Sequence, residues 1–307
     1  MKALRMLWNG FEPSDWLTQL WRQTLSGNFD VGELEIASEA DVIILNWLKE
    51  EKSVQYSRQV ELLEAALMHQ IPTLIFDQDG IHEEGGDSDP RVEQSMFEAA
   101  QIPMRLAMPA FYPPYGYETL HYAYPFRQQT PIPLSTCRLY KRSYVGYCDT
   151  RYGQALDWFR DLEGDIWGDW LKDSQEQTLI DFGVGPRFHD ECEQDQVQTV
   201  LQRSVSTVHL GTPEQCSYGM LTLRYAEAAA SGTLAFVPWE MQLPPFWKYV
   251  FTSDEDIWRM DLDKDTNHTQ KYLVTEMQNQ QQLVVHEAMS HYAWAKVINE
   301  LTGGQVT

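Results

Sequence analysis

Short continuous apolar runs alternate with segments of helical period along most of the chain. Ala3-Leu4-Arg5-Met6-Leu7-Trp8 reads as a strand ending at Asn9-Gly10. Ser14-Asp15 then offer capping side chains to a helix in which Trp16, Leu17, Leu20 and Trp21 recur at helical spacing. Val42-Ile43-Ile44-Leu45 has no polar alternation, the pattern of a strand buried on both faces of a parallel sheet. A helix from about Val54 to Gln70 carries Val60, Leu62, Leu63, Ala66 and Leu67 on its apolar side. Thr73-Leu74-Ile75-Phe76 is the next buried strand, ending at Asp77-Gln78-Asp79-Gly80. Strand, helix, strand, helix predicts a doubly wound α/β unit.

The stretch 81–90 is acidic, Gly-rich and aperiodic, which predicts a solvated loop or a lid above the strand ends. Residues 111–125 are aromatic and Pro-rich, and a domain boundary near residue 135 fits this change of composition. The pattern then restarts. Strands are expected at 143–147, 165–168, 178–183, 205–210 and 233–237. Helices are expected at 154–162, 195–203 and 220–231, the last ended by Gly232. A single amphipathic helix from Gln278 to Leu301 closes the chain. The division expected is 1–135, 136–277 and 278–307, with ligands bound outside the carboxyl ends of the strands.

With 307 residues the chain is long enough for two domains of roughly 150 residues each. Asp plus Glu number 45 against 23 Lys plus Arg, a net charge of −22, which repels phosphate backbones and anionic membranes at long range. A local basic pocket for an anionic ligand is still allowed. Cys137, Cys148, Cys192 and Cys216 form no CxxC pair, so they read as reduced thiols. No apolar run reaches the roughly 18 residues of a membrane span and no export signal stands at the N-terminus. A cytoplasmic protein without membrane contact is expected.

The segment richest in chemistry runs from Cys216 to Gly232. A small-residue turn, Ser217-Tyr218-Gly219, opens a helix whose free amides and positive dipole end suit a diphosphate. Arg224 and Glu227 are three apart on one helical face. A guanidinium can clamp phosphate oxygens and a carboxylate can accept both hydroxyls of a ribose. The plain alternative is an ordinary surface ion pair. Asp77 and Asp79 sit where a base facing the cleft would take a proton from an acceptor, although capping or loop solvation also explains them.

The order S-Y-G-x-x-T-x-R-x-x-E-A-x-A-S-G-T-L-A-F at 217–236 resembles the C-terminal domain of GT-B glycosyltransferases, in particular the CgeB-like branch near the large retaining group. Upstream, Tyr144-Val145-Gly146 followed by Arg151 is similar to the glycine loop and Arg that open this domain. Downstream, a closing helix with His286, His291 and Trp294 is similar to the family's terminal helix, which crosses back to the first domain. The resemblance implies the α/β GT-B fold, two Rossmann-like domains facing across a cleft, with acceptor in the first and nucleotide-sugar in the second. It implies a glycosyltransferase using a UDP-sugar without a metal. Glu227 would hold the ribose, Arg224 and Arg151 the diphosphate, Gly146 would admit the donor, and the amides of Ser217, Tyr218 and Gly219 would face phosphate. Two positions depart from the pattern: Gly219 stands where the retaining group has a second Glu, and no Lys occurs in 149–158.

Other polar clusters read as surface. Asp261-Leu262-Asp263 and the following Asp265 lack the Gly and Glu of a calcium loop. His189-Asp190-Glu191-Cys192 crowds its ligand types into one turn. The dense basic run 138–142, with Arg105 and Arg127, offers either a solvated linker or part of a positive track for a DNA acceptor. Tyr112, Tyr115, Tyr117, Tyr122 and Tyr124 suit stacking on a sugar or base, or interdomain packing. The expected acceptor is a hydroxyl of a modified DNA base, a glycan or a small molecule. The competing reading is a degenerate protein of this fold that binds a nucleotide or a protein partner, or mimics nucleic acid.

Overall fold

The computed structural model describes residues 4–8, 29–31, 37–47, 54–77, 89–119, 138–147, 151–171, 175–260, 262, 268–288 and 292–303. The chain divides into two compact units, one formed by residues 1–128 with 288–307 and the other by 129–287.

The first unit is built on a wholly parallel sheet. Its strands are β1 (Leu4–Trp8), β2 (Phe29–Val31), β3 (Val42–Asn46), β4 (Thr73–Phe76), β5 (Met104–Met108) and β6 (Glu118–Thr119), in the order β2-β1-β3-β4-β5-β6. Every residue of β3 and β4 is buried, as their unbroken apolar runs require. Helix α1 (Val54–His69) joins β3 to β4, and α2 (Arg91–Ala99) precedes β5. Neither β2, α2 nor β5 is legible in the pattern; β5 carries Arg105 in mid-strand, where it pairs with Glu118 at 2.7 Å.

The second unit repeats the principle. Strands β7 (Tyr140–Val145), β8 (Asp165–Trp167), β9 (Arg187–His189), β10 (Ser204–Val208) and β11 (Leu234–Phe236) form a parallel sheet in the order β11-β10-β7-β8-β9. The helices of the unit are α3 (Tyr152–Phe159), α4 (Gln175–Phe182), α5 (Gln194–Gln202), α6 (Pro213–Tyr218), α7 (Leu223–Ala230), α8 (Pro245–Val250), α9 (Glu255–Arg259) and α10 (His268–Ala288). The chain runs from β7 outward through β8 to β9, then returns through α5 to β10 on the other side of β7. The direction of winding therefore reverses between β7 and β10, which leaves a crevice at their carboxyl ends. An aromatic core of Trp158, Phe159, Trp170, Phe182, Phe236 and Trp258 holds the helices to the sheet.

Two expectations need correction here. Residues 178–183, expected as a strand, belong to helix α4. Thr178 and Phe182 are buried while Leu179 and Ile180 face solvent, so burial follows a spacing of four, not two. The closing helix does not begin at Gln278: α10 starts at His268, and α11 (Tyr292–Leu301) follows as a separate described helix grouped with the first unit. The helix expected at 220–231 is α7, and a separate helix, α6, stands before it. Gly219 has φ 64°, a left-handed cap that ends α6 before α7 begins. Gly232, with φ 70°, follows α7 as expected.

The basic run 138–142 is neither linker nor track. It leads into and forms the amino-terminal part of β7, at the edge of the sheet opposite the crevice. Arg142 is buried and donates to the carbonyls of Trp258 and Met260, both at 2.7 Å, with its guanidinium over the Trp258 ring. Arg138 donates to the carbonyls of Leu201, Gln202, Ser204 and Gly232, and burial lowers its pKa. Lys141 pairs with Glu163 at 2.6 Å. These charges satisfy carbonyls and one carboxylate of the second unit. Arg127, Tyr122, Tyr124, Asp261, Asp263 and the expected helix at 16–21 lie outside the described residues. Among the described residues no helix is long and apolar enough to cross a membrane.

Candidate donor site at the carboxyl edge of the second sheet

Strand β10 ends at Val208, and the chain leaves the sheet through His209, Leu210 and Gly211. The His209 amide still donates to the Phe236 carbonyl at 2.8 Å, which fixes its backbone to β11. Its side chain is buried, with Nδ1 3.4 Å from the Thr222 hydroxyl and Nε2 without a hydrogen-bond partner. Burial lowers the pKa of His209 to about 3, and the positive charges of Arg151 and Arg224 push in the same direction. The imidazole is therefore neutral at pH 7.

Each arginine is placed by a local rule. Arg151 is the N-cap of α3, and its Nη2 donates to Gln215 Oε1 at 3.5 Å. The same Gln215 oxygen accepts the Thr212 amide at 2.9 Å, while the Gln215 amide donates to Thr212 Oγ1 at 3.2 Å. This reciprocal capping box closes the start of α6 and ties Arg151 to it. Arg224 lies in the first turn of α7, and its Nη1 donates to Glu227 Oε2 at 2.7 Å. The opposite side of α7, with Tyr225, Ala226, Ala228, Ala229 and Ala230, is buried, so Arg224 and Glu227 occupy its more open face. Thr222, the N-cap of α7, makes no side-chain cap, its hydroxyl being turned to His209. The result is two fixed cations, a neutral imidazole and an uncapped helix start at the winding reversal, an arrangement suited to an anion.

Several expected site residues fall elsewhere. Ser217 and Tyr218 lie inside α6, and the Gly219 amide donates to the carbonyls of Cys216 and Gln215, so these three amides are not turned toward a phosphate. Gly146 is required for a different reason than the one expected. A side chain there would strike the Tyr144 ring, while the Gly146 amide donates to Trp167 and its carbonyl accepts from Trp170 Nε1 at 2.9 Å. In the first unit, Asp77 does follow β4, but it is fully buried and accepts from the Tyr117 hydroxyl at 3.2 Å instead of facing an open cleft. Burial, and then the Asp77 charge, raise the Tyr117 pKa. Tyr112 and Tyr115 are exposed. Asp79 and the first-loop residues 148–150 lie outside the described residues, as do the side chains of His286, His291 and Trp294.

His189 is part of β9 and not of a polar turn; its Nε2 meets buried Asp165 at 2.7 Å and its ring stacks on Trp167. Among the described residues no three His, Cys, Asp or Glu side chains come together as a metal ion requires. Cys216 is buried, which raises its pKa, and Cys192 is half-buried. The site residue missed in the sequence is His209, which reads there as one more position of the strand 205–210. Its only signal is a titratable residue directly after a buried strand.

No protein-family model matches this chain, and no curated protein matches it either. Solved structures do. T4 phage BGT in complex with UDP-glucose is similar at a TM-score of 0.61 and 9% identity, over 98% of this chain and 99% of that one. The same T4 phage protein with UDP and Mn2+ matches at 0.55 and 10%, over 98% and 99%. A structure described as the DNA modifying enzyme β-glucosyltransferase matches at 0.58 and 10%, over 98% and 99%. HepE of Anabaena in complex with UDP matches at 0.60 and 10%, over 98% and 100%. At such identities the likeness is one of fold, and the fold is that of the GT-B glycosyltransferases.

Proposed function

We propose that this protein is a glycosyltransferase that moves a sugar from a UDP-sugar to a hydroxyl acceptor. The observation that carries the reading is the placement, at the winding reversal of the second sheet, of Arg151 on Gln215 and of Arg224 two residues past Thr222, whose hydroxyl meets His209. It stands in a fold like that of glycosyltransferases solved with UDP or UDP-glucose. As the glycosidic bond breaks, negative charge grows on the leaving diphosphate, and cations already held in place stabilise it without reorganisation. Arg151, held by Gln215, and Arg224, held by Glu227, take that role. Glu227, one turn further along α7, accepts the ribose hydroxyls. The first unit carries the acceptor.

For the acceptor, the likeness to a DNA-modifying β-glucosyltransferase favours a hydroxyl on a modified base. The net charge of −22 and the internal pairing of Arg138, Lys141 and Arg142 favour a glycan or small molecule. With a neighbour solved with UDP and Mn2+, metal independence is a matter for assay. Glu227 is paired with Arg224, so a divalent ion there would arrive on the diphosphate.

The second reading, a binding protein of the same fold without turnover, is favoured by Gly219. Its left-handed cap disfavours the Glu that the retaining group carries at that place. One experiment separates the readings. Thermal unfolding is followed with UDP, GDP, ADP, TDP and CDP and their sugar conjugates, with Mn2+ or with EDTA, alongside release of UDP in the presence of hydroxymethylated DNA or glycans. A ligand at 100 times its Kd adds about 2.7 kcal/mol. Stabilisation by UDP together with acceptor-dependent UDP release establishes the transferase. Stabilisation without release under any condition supports the binding protein, and no stabilisation by any nucleotide overturns both.

A further inference from the structure

We propose that His209 is a third ligand-facing group of the donor site, whose Nε2–H bonds a diphosphate oxygen. The inference rests on the donor reading above and names a residue that the family pattern does not supply. Three observations point the same way. His209 stands one residue beyond β10, at the winding reversal where α/β sheets bind ligands. It is more than nine-tenths buried, and its Nε2 is out of reach of bulk solvent without a partner in the protein. Buried polar atoms left in that condition in a native fold mark a place where another group completes the bonding.

The surroundings decide the chemical class of that group. The charges bearing on the ring are Arg151 at the start of α3 and Arg224 in α7, both positive. Its remaining polar neighbour is Thr222, and the Tyr225 ring lies edge-on to it at 6.0 Å. Positive charge in the surroundings of an unpaired nitrogen selects an anion, and an anion's oxygens only accept. Nε2 must then carry the proton, and Nδ1 must be the acceptor from the Thr222 hydroxyl. The Thr222 hydroxyl can donate there, since its O–H has no other partner in the start of α7, where it forms no side-chain cap. The neutral ring has a further consequence. It adds a donor for the diphosphate without adding a third positive charge that would compete with the two guanidiniums.

The test compares His209→Phe, which keeps the ring volume and removes both nitrogens, with His209→Gln, whose amide nitrogen reaches toward the place of Nε2. Binding of UDP, uridine and inorganic pyrophosphate is measured by calorimetry. His209→Phe should weaken UDP and pyrophosphate by about 10- to 100-fold, the range for a hydrogen bond to a charged group, and leave uridine unchanged. His209→Gln should restore most of the loss. In the wild-type protein labelled with 15N at histidine, the His209 signals should show the Nε2–H tautomer. Nε2 should shift on adding UDP or pyrophosphate but not uridine. Equal loss for all three ligands, or wild-type affinity in His209→Phe, overturns the proposal while the donor reading stands. Should His209→Phe fail to fold, an Nε2 signal that ignores pyrophosphate overturns it just as well. If the wild-type protein binds neither UDP nor pyrophosphate, the donor reading fails and this inference fails with it.

Discussion

Glu227 holds Arg224 by a 2.7 Å ion pair across one turn of α7, with the Glu227 side chain 16% and the Arg224 side chain 33% exposed. Half-open pairs at this spacing contribute only about 0.3–0.5 kcal/mol to stability, so the pair is a poor investment for folding alone. What it does is hold a guanidinium in one orientation beside His209.

Replacing either partner should therefore separate binding from stability. Glu227→Ala should weaken both uridine and UDP, because the ribose acceptor is lost. Arg224→Ala should weaken UDP by about 10-fold or more and leave uridine nearly unchanged, because only the diphosphate loses a charged donor. Both variants should unfold within about 1 kcal/mol of the parent in urea. Normal UDP binding by Glu227→Ala would remove the ribose assignment.

The pH dependence has a definite sign. The folded pKa of His209 lies near 3, below the ordinary histidine value of 6.5, because the ring is buried beside Arg151 and Arg224. As pH falls below 6.5 the unfolded chain takes up a proton at this residue that the folded chain refuses, so stability present above that pH is lost progressively toward 3. The slope attributable to this group is at most about 1.4 kcal/mol per pH unit. Urea unfolding from pH 7 to pH 5 should show a smaller slope in His209→Phe than in the parent. Parallel slopes would mean that the imidazole is not shielded.

Arg142 should behave as a core residue. It bonds the Trp258 and Met260 carbonyls and lies over the Trp258 ring. Arg142→Met should cost about 2–4 kcal/mol, since the carbonyls stay buried without donors. Whatever affinity the protein has for DNA at low salt should not change with it. A large fall in DNA affinity without loss of stability would return this run to the surface role that its composition suggests.

Gln281 of α10 acts on the open edge of the second sheet. Its Oε1 accepts the Ala235 amide at 2.8 Å, and its Nε2 donates to the carbonyls of Ala235 and Val250, both at 2.9 Å. The side-chain amide thus does for β11 what a neighbouring strand would do, and covers part of an edge that would otherwise pair with another chain. Gln281→Leu should cost at least about 2 kcal/mol and promote association on heating, measured by urea unfolding and light scattering.

Much of the architecture is legible along the chain, and the exceptions share one cause. Buried runs such as Val42–Leu45 and Thr73–Phe76 announce strands because a strand covered on both faces tolerates no polar residue. Residues 178–182 mimic that signal in a helix, since so short an apolar segment as Leu179, Ile180 and Phe182 has no readable period and only the environment shows that Leu179 and Ile180 face water. The two halves, the Arg224–Glu227 face and the helix stop at Gly232 follow from spacing and from glycine's freedom at positive φ.

Tertiary structure alone decided which polar residues belong to a site. Ser217, Tyr218 and Gly219 have the composition of a phosphate loop, yet Thr212 and Gln215 cap a helix four residues upstream and consume their amides. The basic run 138–142 has the composition of a surface patch, yet β7 lies at the centre of its sheet, so its arginines meet carbonyls from distant segments. His209, Arg151 and Arg224 are spread over more than seventy residues, and nothing local connects them. They are brought to one edge of the sheet because β10 pairs with β7 after the winding reverses, with Thr222 against His209 and Gln215 against Arg151. Local sequence carries period, caps and turns, which act over one or two turns of chain. Convergence of charge depends on which strands become neighbours, and that is settled by burial of the whole sheet.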